Sequence, residues 1–209
     1  MKFVKICGIT RVEDAHAAVA CGAHAIGFVF WPKSPRCVDV DVAARIRSTL
    51  PPAVSAMGVF VDQPVDDVNG IADRVNLSAV QLHGSEDVLY AQSMTRPVVK
   101  ALAVGGDVAP VLSHWPGDVK VLLDVHDPLR RGGTGKVIDW AVASDFARQR
   151  EIILAGGLTP DNVRDAVGRV QPYGIDVSSG VEVSPGIKDH ERIKALFEAV
   201  YGRHYATRS

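Results

Sequence analysis

Short apolar runs separated by amphipathic stretches recur along the whole chain. The runs are apolar on both faces, which is typical of buried parallel strands rather than of strands with one solvent-facing side. In the stretches between them, apolar residues recur at roughly helical spacing, and several stretches end at glycine or proline. The pattern predicts strands over residues 3–6, 25–30, 57–61, 79–84, 98–102, 119–124, 152–155 and 175–177.

Helices are predicted between these strands. Thr10 and Glu13 have the Thr-x-x-Glu spacing of a capping box, so Thr10 is predicted to cap the first helix, which ends at Gly22. The helix after the fifth strand is the least defined, because the glycines and the proline in residues 105–110 obscure its start. The remaining helices are predicted over residues 42–50, from Asp62 to about 73, from Ser85 and Glu86 onward, and over 140–150, 161–170 and 189–201.

The alternation of strand and helix predicts the fold. Eight strands that alternate with helices every 20–30 residues or so require parallel pairing with right-handed crossovers. We therefore expect an α/β protein, a single-domain (β/α)₈ TIM barrel over residues 1–209 with a frayed tail after about 202. The chain is short for this fold, for which roughly 250 residues is typical. An open doubly wound sheet is the alternative, but it normally has fewer strands, and no Gly-x-Gly-x-x-Gly turn follows the first one.

Composition narrows the class of protein. The net charge of −1 and the 47% apolar content indicate neither a nucleic-acid-binding surface nor disorder. We expect no signal peptide and no membrane-spanning segment, because no apolar run is long enough. Three cysteines, at positions 7, 21 and 37, form no metal-like pair, and an odd count favours a reduced, cytoplasmic setting.

The predicted strands end in residues that can do chemistry. In a barrel, the carboxyl ends of all eight strands face one site. Those ends hold a thiol, an imidazole and two carboxylates, namely Cys7, His83, Asp124 and Asp176, and the loop after the second strand holds the guanidinium of Arg36. The amino ends of the strands hold nothing comparable. The sequence therefore predicts an active site at the carboxyl end of the barrel.

Two glycine-containing turns follow the last two strands. Loops at this position of a TIM barrel often bind phosphate, because backbone N–H groups and helix N-termini point at the anion. Gly156 and Gly157 would let a phosphate oxygen approach the backbone, while Ser178, Ser179 and Gly180 would supply hydroxyl and amide groups. Each turn alone could be an ordinary connection. Their joint occurrence after strands seven and eight favours a phosphate site.

Cys7 and Asp124 are the candidates for proton transfer, and each has a structural alternative. Cys7 is either a small buried hydrophobe or a nucleophile or general base, and Lys5 on the same strand face is placed to favour its thiolate. Asp124 ends an apolar strand, which suits it to acid work, unless it caps or pairs with the following loop. The two strands lie on opposite sides of a barrel, so both groups would flank a bound substrate.

An ordered series of short motifs begins with Lys5-Ile6-Cys7-Gly8-Ile9-Thr10 and covers about residues 3 to 200. Any one motif is weak, but together they resemble the phosphoribosylanthranilate isomerase family of tryptophan biosynthesis. The other matching motifs lie at 27–30, 34–36, 58–61, 80–84, 122–124, 132–135, 139–140, 155–159, 162–163, 176–182 and 185–189.

The resemblance implies an Amadori rearrangement of N-(5-phosphoribosyl)anthranilate to the aminoketose, without cofactor or metal. It implies Asp124 as the general acid that opens the furanose ring and Cys7 as the general base at C2. Arg36 would hold the anthranilate end, and His83 and Asp176 would orient polar groups of the substrate. The implied partner is the small phosphoribosyl substrate, with no nucleic acid or membrane, for a monomer or homodimer.

The resemblance also implies that the phosphate lies on Gly156, Gly157, Ser179 and Gly180, and that the loop over 132–135 closes on the site. Two alternatives stay open. One is another phosphosugar barrel enzyme, but a histidine-pathway isomerase would carry aspartate in place of Cys7, and a ribulose-phosphate epimerase relative would carry a His and Asp metal site. The other is a non-catalytic barrel that binds phosphorylated ligands, whose expected mark is a missing acid or base.

Overall fold

A computed structural model describes residues 1–103, 114–124 and 140–202. Eight parallel strands form a closed barrel in sequence order, and the eighth pairs back on the first. The predicted single (β/α)₈ barrel is thereby confirmed. The strands are β1 (Phe3–Cys7), β2 (Ala25–Val29), β3 (Ser55–Phe60), β4 (Ala79–Leu82), β5 (Val98–Ala103), β6 (Lys120–Asp124), β7 (Ile152–Ala155) and β8 (Gly174–Val177).

Seven α-helices are described outside the barrel strands. They are α1 (Val12–Ala20), α2 (Val40–Ser48), α3 (Val65–Val75), α4 (Val88–Gln92), α5 (Trp140–Ala147), α6 (Val163–Val170) and α7 (His190–Tyr201). After β8 the chain adds a short 3₁₀ helix, Ser179–Val181, and a hairpin of β9 (Glu182–Ser184) and β10 (Ile187–Lys188), which the sequence pattern did not predict. The predicted helix start at 105–110, the loop over 132–135 and the tail after 202 lie outside the described residues.

The predicted cap of the first helix is wrong. Arg11 is the N-cap residue of α1, and no side chain caps this helix. The Thr10 hydroxyl instead donates to the carbonyl oxygen of Gly186 at 2.5 Å. A hydroxyl has one hydrogen to donate, and here it ties the start of α1 to the β9–β10 hairpin.

The predicted start of α4 is also wrong. This helix begins at Val88, where the Asp87 side chain accepts from the Tyr90 amide at 2.8 Å as an N-cap. Glu86 lies before the helix, and its buried carboxylate accepts from the amide of Gly84 at 2.9 Å. The same carboxylate accepts from Lys100 Nζ at 2.8 Å. The ion pair with Lys100 on β5 therefore holds Glu86 before the helix, although the local pattern assigns Glu86 to the helix start.

Alternation along each strand divides the core into two parts. Residues that face outward pack against the helices, while those facing inward fill the barrel interior. The apolar interior runs from the amino ends of the strands through their middle and reaches the end of β7 at Ala155; its residues are Ala25, Met57, Ala79, Val99, Ala101, Leu122, Ile153 and Ala155. Towards the carboxyl end, buried polar side chains on β1, β4 and β8 replace them, namely Lys5, Gln81 and Asp176.

Candidate active site

A cleft of about 520 Å³ opens at the carboxyl end of the barrel. The predicted site residues around it are Cys7, Arg36, His83, Asp124, Gly156, Gly157, Asp176 and Ser179. Gly180 is the one predicted site residue that does not line the cleft. Within the described residues, seven of the eight strands and the loops that follow them contribute to the lining, and they enclose one space large enough for a small-molecule ligand.

A larger cavity, of about 1000 Å³, lies at the opposite end of the barrel. Its lining includes the first residues of several strands, such as Phe3, Ser55, Ala79, Val98 and Lys120. The amino-terminal face of this fold serves stability, whereas catalytic groups gather at the carboxyl-terminal face. The chemistry of the lining residues therefore selects the smaller cleft as the candidate active site.

Lys5 is the buried centre of the site. Its side chain is 0% exposed, and its ammonium donates to Gln81 Oε1 at 2.7 Å, to Asp176 Oδ2 at 2.9 Å and to Cys7 Sγ at 3.4 Å. Burial lowers the pKa of Lys5, but the charge of Asp176, with Cys7, outweighs burial and leaves this pKa raised. A side chain at Gly27 would place its Cβ 2.7 Å from Cys7 Sγ and 2.8 Å from Lys5 Cε, so this position requires glycine.

Cys7 is a buried thiol at rest. Burial has the largest effect and raises its pKa. The positive charge of Lys5 lowers the pKa, the negative charge of Asp176 raises it, and the positive charge of Lys188 lowers it. The net pKa is above its ordinary value, because desolvation of a thiolate outweighs the nearby cations. Lys5 therefore acts in the expected direction, towards the thiolate, but burial has the larger effect. Lys5 reduces the shift without reversing it.

Arg36 is held by an acidic residue that sequence reasoning did not assign to the site. Its Nε donates to Glu182 Oε1 at 2.9 Å, and its Nη2 donates to Glu182 Oε2 at 2.6 Å. Lys188 Nζ donates to the same Glu182 Oε1 at 2.7 Å. Burial raises the pKa of Glu182, but the hydrogen bonds from Arg36 and Lys188 outweigh it and leave this pKa lowered. Gly8, with φ +75°, lies under the arginine, where a Cβ would be 2.7 Å from Arg36 Cδ.

Asp124 lies at the end of β6 beside His83. His83 Nε2 is 3.5 Å from Asp124 Oδ2, and His83 Nδ1 is 2.9 Å from Gln81 Nε2. Asp124, the predicted acid, and His83, which is predicted to bind polar groups of the substrate, therefore lie together on one wall of the cleft. The alternative, in which Asp124 caps or pairs with the loop that follows it, concerns residues outside the described part of the chain.

The turns after β7 and β8 face the cleft together. Gly156 and Gly157 have φ of +90° and +62°, a conformation that favours glycine. Asp176 Oδ1 and Ser178 Oγ are buried in the cleft lining without a hydrogen-bond partner among the described residues. Buried polar atoms of this kind are normally satisfied, so the site has capacity for a polar ligand.

Gly180 has a packing role that explains its absence from the lining. A Cβ at this position would lie 1.8 Å from the carbonyl oxygen of Leu158. The turn after β8 therefore packs directly on the backbone of the turn after β7. This contact sets the distance between the two turns that face the cleft.

Two kinds of feature are absent from the described ranges. No group of three or more His, Cys, Asp or Glu side chains there is arranged to hold a metal ion. No helix among these residues has the length and apolar character needed to span a bilayer.

The fold and the site define a barrel enzyme whose cleft combines proton-transfer groups with glycine turns suited to an anion. Comparisons with known proteins agree with this class. A model of the family described as N-(5'-phosphoribosyl)anthranilate (PRA) isomerase matches residues 4–199. The N-(5'-phosphoribosyl)anthranilate isomerase of Pseudomonas fluorescens (strain Pf0-1) is 48% identical over 198 residues, which cover 94% of this chain and 97% of that protein.

Solved structures give the same result. The crystal structure of phosphoribosyl anthranilate isomerase from Thermotoga maritima has a TM-score of 0.89 and 42% identity, covering 97% of this chain and 100% of that one. A phosphoribosyl anthranilate isomerase in complex with reduced 1-(o-carboxyphenylamino)-1-deoxyribulose 5-phosphate has a TM-score of 0.86 and 40% identity over the same shares. The chain therefore belongs to the N-(5'-phosphoribosyl)anthranilate isomerase family, isomerases of tryptophan biosynthesis, and the family prediction is confirmed.

Proposed function

We propose that this chain converts N-(5-phosphoribosyl)anthranilate to 1-(2-carboxyphenylamino)-1-deoxyribulose 5-phosphate, with Asp124 as general acid and Cys7 as general base. The main observation in support is that both groups line one cleft, at the ends of β1 and β6. These strands lie on different sides of the closed barrel, so that a sugar ring can lie between the two groups. Family membership supports the reaction class.

The reaction needs one proton delivered and one removed. Asp124 protonates the furanose ring oxygen, the C1–O bond breaks, and the anthranilate nitrogen and C1 form a protonated Schiff base. Cys7 then removes the proton from C2, and the C–H electron pair forms the enolamine double bond. In the same step the C1=N π pair returns to nitrogen, so the C1–N bond is single in the enolamine. The C2 hydroxyl then loses its proton and C1 gains one, which gives the C2 ketone of the product. General acid–base groups of this kind each contribute roughly 10²–10⁴-fold to rate.

The environment of Cys7 sets a condition on this mechanism. Because burial raises the pKa of the thiol, only a small share is thiolate near neutral pH. Lys5 Nζ, 3.4 Å from Sγ, stabilises the anion when it forms. The positive Schiff base next to C2 would act in the same direction. The base must therefore lose its proton while Asp124 keeps its own, and the thiolate is the minor form of Cys7 near neutral pH.

We further propose how the cleft binds the two anionic ends of the substrate. The phosphate lies against the turns of Gly156–Gly157 and Ser179–Gly180, where backbone amides can meet it. Arg36 binds the anthranilate carboxylate and is oriented by its two-oxygen contact with Glu182. Asp176, whose Oδ1 has no protein partner among the described residues, binds a sugar hydroxyl.

The test uses the fluorescence decay of freshly made phosphoribosylanthranilate. Wild type is compared with Cys7→Ser and Asp124→Asn, with circular dichroism as the folding control. We expect rapid decay with wild type and a loss of at least a hundredfold in each variant. Full turnover by either variant would show that the substituted residue does not have its proposed role. No wild-type turnover, with folding and phosphate binding intact, would favour a non-catalytic barrel or another phosphosugar substrate.

The setting and assembly of the enzyme are part of the same proposal. We place it in the cytoplasm as a monomer or homodimer. Cys7, Cys21 and Cys37 are all free thiols, which fits a reducing compartment. Light scattering during gel filtration would determine the assembly, and a species larger than a dimer would contradict it.

A further inference from the structure

Gln81 lies between a buried cation and the imidazole beside the proposed acid. It is on β4 and 1% exposed. On one side, its Oε1 accepts from Lys5 Nζ at 2.7 Å. On the other side, its Nε2 lies 2.9 Å from His83 Nδ1. The mechanism above gives Gln81 no role.

The donors and acceptors around Gln81 determine which ring nitrogen of His83 carries the hydrogen. An ammonium group donates only, so Lys5 must face the oxygen of the Gln81 amide. The amide NH₂ therefore faces His83, and because it too can only donate, Nδ1 must be the acceptor. A neutral imidazole with a bare Nδ1 has its hydrogen on Nε2. The doubly protonated ring would set one N–H against another at this contact.

The hydrogen on Nε2 points towards Asp124, whose Oδ2 is 3.5 Å away. That distance is long for a hydrogen bond, and contacts of catalytic groups often shorten when substrate binds. We propose that Gln81 is a positioning residue that fixes His83 as the Nε2–H tautomer, so that the ring donates to Asp124 and cannot accept its proton. This inference rests on the proposed role of Asp124 as the acid.

The other tautomer would compete with the substrate. With its hydrogen on Nδ1, the ring would present a bare Nε2 to the Asp124 carboxyl group. An imidazole nitrogen is more basic than a sugar ring oxygen, so it would take the proton that opens the furanose. In the Nε2–H tautomer, Oδ2 accepts from the ring, and the acidic proton is left on Oδ1 for the substrate.

The tautomer can be read directly by nuclear magnetic resonance. The full chain is labelled with ¹⁵N-histidine, and two-bond ¹H–¹⁵N correlations distinguish a bare ring nitrogen, which resonates far downfield, from a protonated one. The chain has seven histidines, so the spectrum of His83→Gln identifies the His83 signals by subtraction. We expect a bare Nδ1 and a protonated Nε2 near neutral pH. A bare Nε2, or protonation of both nitrogens, would overturn the proposal.

Gln81→Glu reverses the hydrogen-bond polarity with little change of shape. Its carboxylate accepts from Lys5 and also from a hydrogen on His83 Nδ1, so the bare-Nδ1 signal should disappear. We expect kcat to fall at least tenfold, because the contribution of the general acid is compromised. An unchanged His83 spectrum would refute the role of Gln81. Gln81→Met, of similar volume but without donor or acceptor, replaces this variant if it does not fold, and should give a mixture of tautomers.

A double-mutant cycle separates this route from any effect through Lys5 and Cys7. His83→Gln keeps an N–H donor near the Nε2 position but has no tautomers. In that background Gln81→Glu should lower kcat by less than about threefold, because residues that act through each other are not additive. Equal losses in both backgrounds would contradict the proposal. Full turnover by Asp124→Asn would instead remove the proposed acid, while the wild-type His83 spectrum would still decide the tautomer.

Discussion

Glu182 allows the sharpest test of how the site is held together. Its carboxylate, 4% exposed, lies between Arg36 Nη2 at 2.6 Å and Lys188 Nζ at 2.7 Å. The Lys188 side chain is 0% exposed. Glu182→Gln keeps the shape but removes the negative charge, and its amide has one neutral oxygen to accept from both cations where the carboxylate has two charged ones. The variant therefore leaves a buried lysine without its anion.

The magnitude follows from burial. Removing one partner of a buried ion pair costs about 3–5 kcal/mol, because the remaining charge is desolvated without compensation. Lys188 can limit this cost by losing its proton, since burial already lowers its pKa. With a urea m-value of about 3 kcal/mol/M, at the upper end of the range for small proteins, the midpoint should fall by about 1–2 M. Substrate KM should also rise, because Arg36 loses its anchor.

Urea unfolding followed by circular dichroism measures the change, and Glu151→Gln is the matched control. Glu151 makes the same kind of pair with Lys120 at 3.2 Å, but it is 55% exposed, so its loss should leave the midpoint nearly unchanged. The double variant Glu182→Gln/Lys188→Met should recover much of the loss, because no unpaired lysine remains. Equal midpoints for Glu182→Gln and Glu151→Gln would refute the reasoning.

Three further predictions concern packing and pH. Gly180→Ala should lower the melting temperature by several degrees, since its Cβ would lie 1.8 Å from the Leu158 oxygen, whereas Gly168→Ala, in the open interior of α6, should raise it slightly. The rate at which iodoacetamide alkylates Cys7, followed on its peptide by mass spectrometry, should climb from pH 7 to 9, because only the thiolate reacts and burial raises the pKa of Cys7; a flat profile would contradict this. Asp14→Asn should cost about 2–3 kcal/mol at pH 7. The pKa of Asp14 is lowered in the fold, so its contribution to stability is complete above its ordinary pKa of 3.8 and is lost as the pH falls through the lower pKa of the folded state. The difference in melting temperature between wild type and Asp14→Asn should therefore be smaller at pH 3 than at pH 7.

The barrel and most of its catalytic end could be predicted because they depend on local order. A buried parallel strand must be apolar on both faces, so the eight apolar runs can be recognised in the sequence. In a closed barrel the carboxyl ends of these strands all lie around one site. Cys7, His83, Asp124 and Asp176 were found by position alone. Their proton-transfer and binding roles stay predictions until the variants are measured.

The predictions that failed, or that were not made, concern residues whose partners are distant in sequence. Thr10 has an ideal capping pattern, but its hydroxyl donates to Gly186, 176 residues further along the chain. Glu182 was part of a recognised motif, yet its contact with Arg36 spans 146 residues and no spacing rule predicts it. Gln81 could have been noticed, because a polar side chain at an inward position of a buried strand needs a partner inside the barrel.

Lys5 shows why these separate contacts form one site. An ammonium has three hydrogens, and here they are directed to Asp176 on β8, Gln81 on β4 and Cys7 on β1. Lys5 therefore cannot donate to substrate without giving up one of them, which makes it a positioning residue. Through Asp176 it would orient a proposed substrate ligand, through Cys7 it contacts the proposed base, and through Gln81 it would set the proposed tautomer of His83. A buried charge that is costly by itself is thus stabilised by the groups whose geometry the proposed reaction requires.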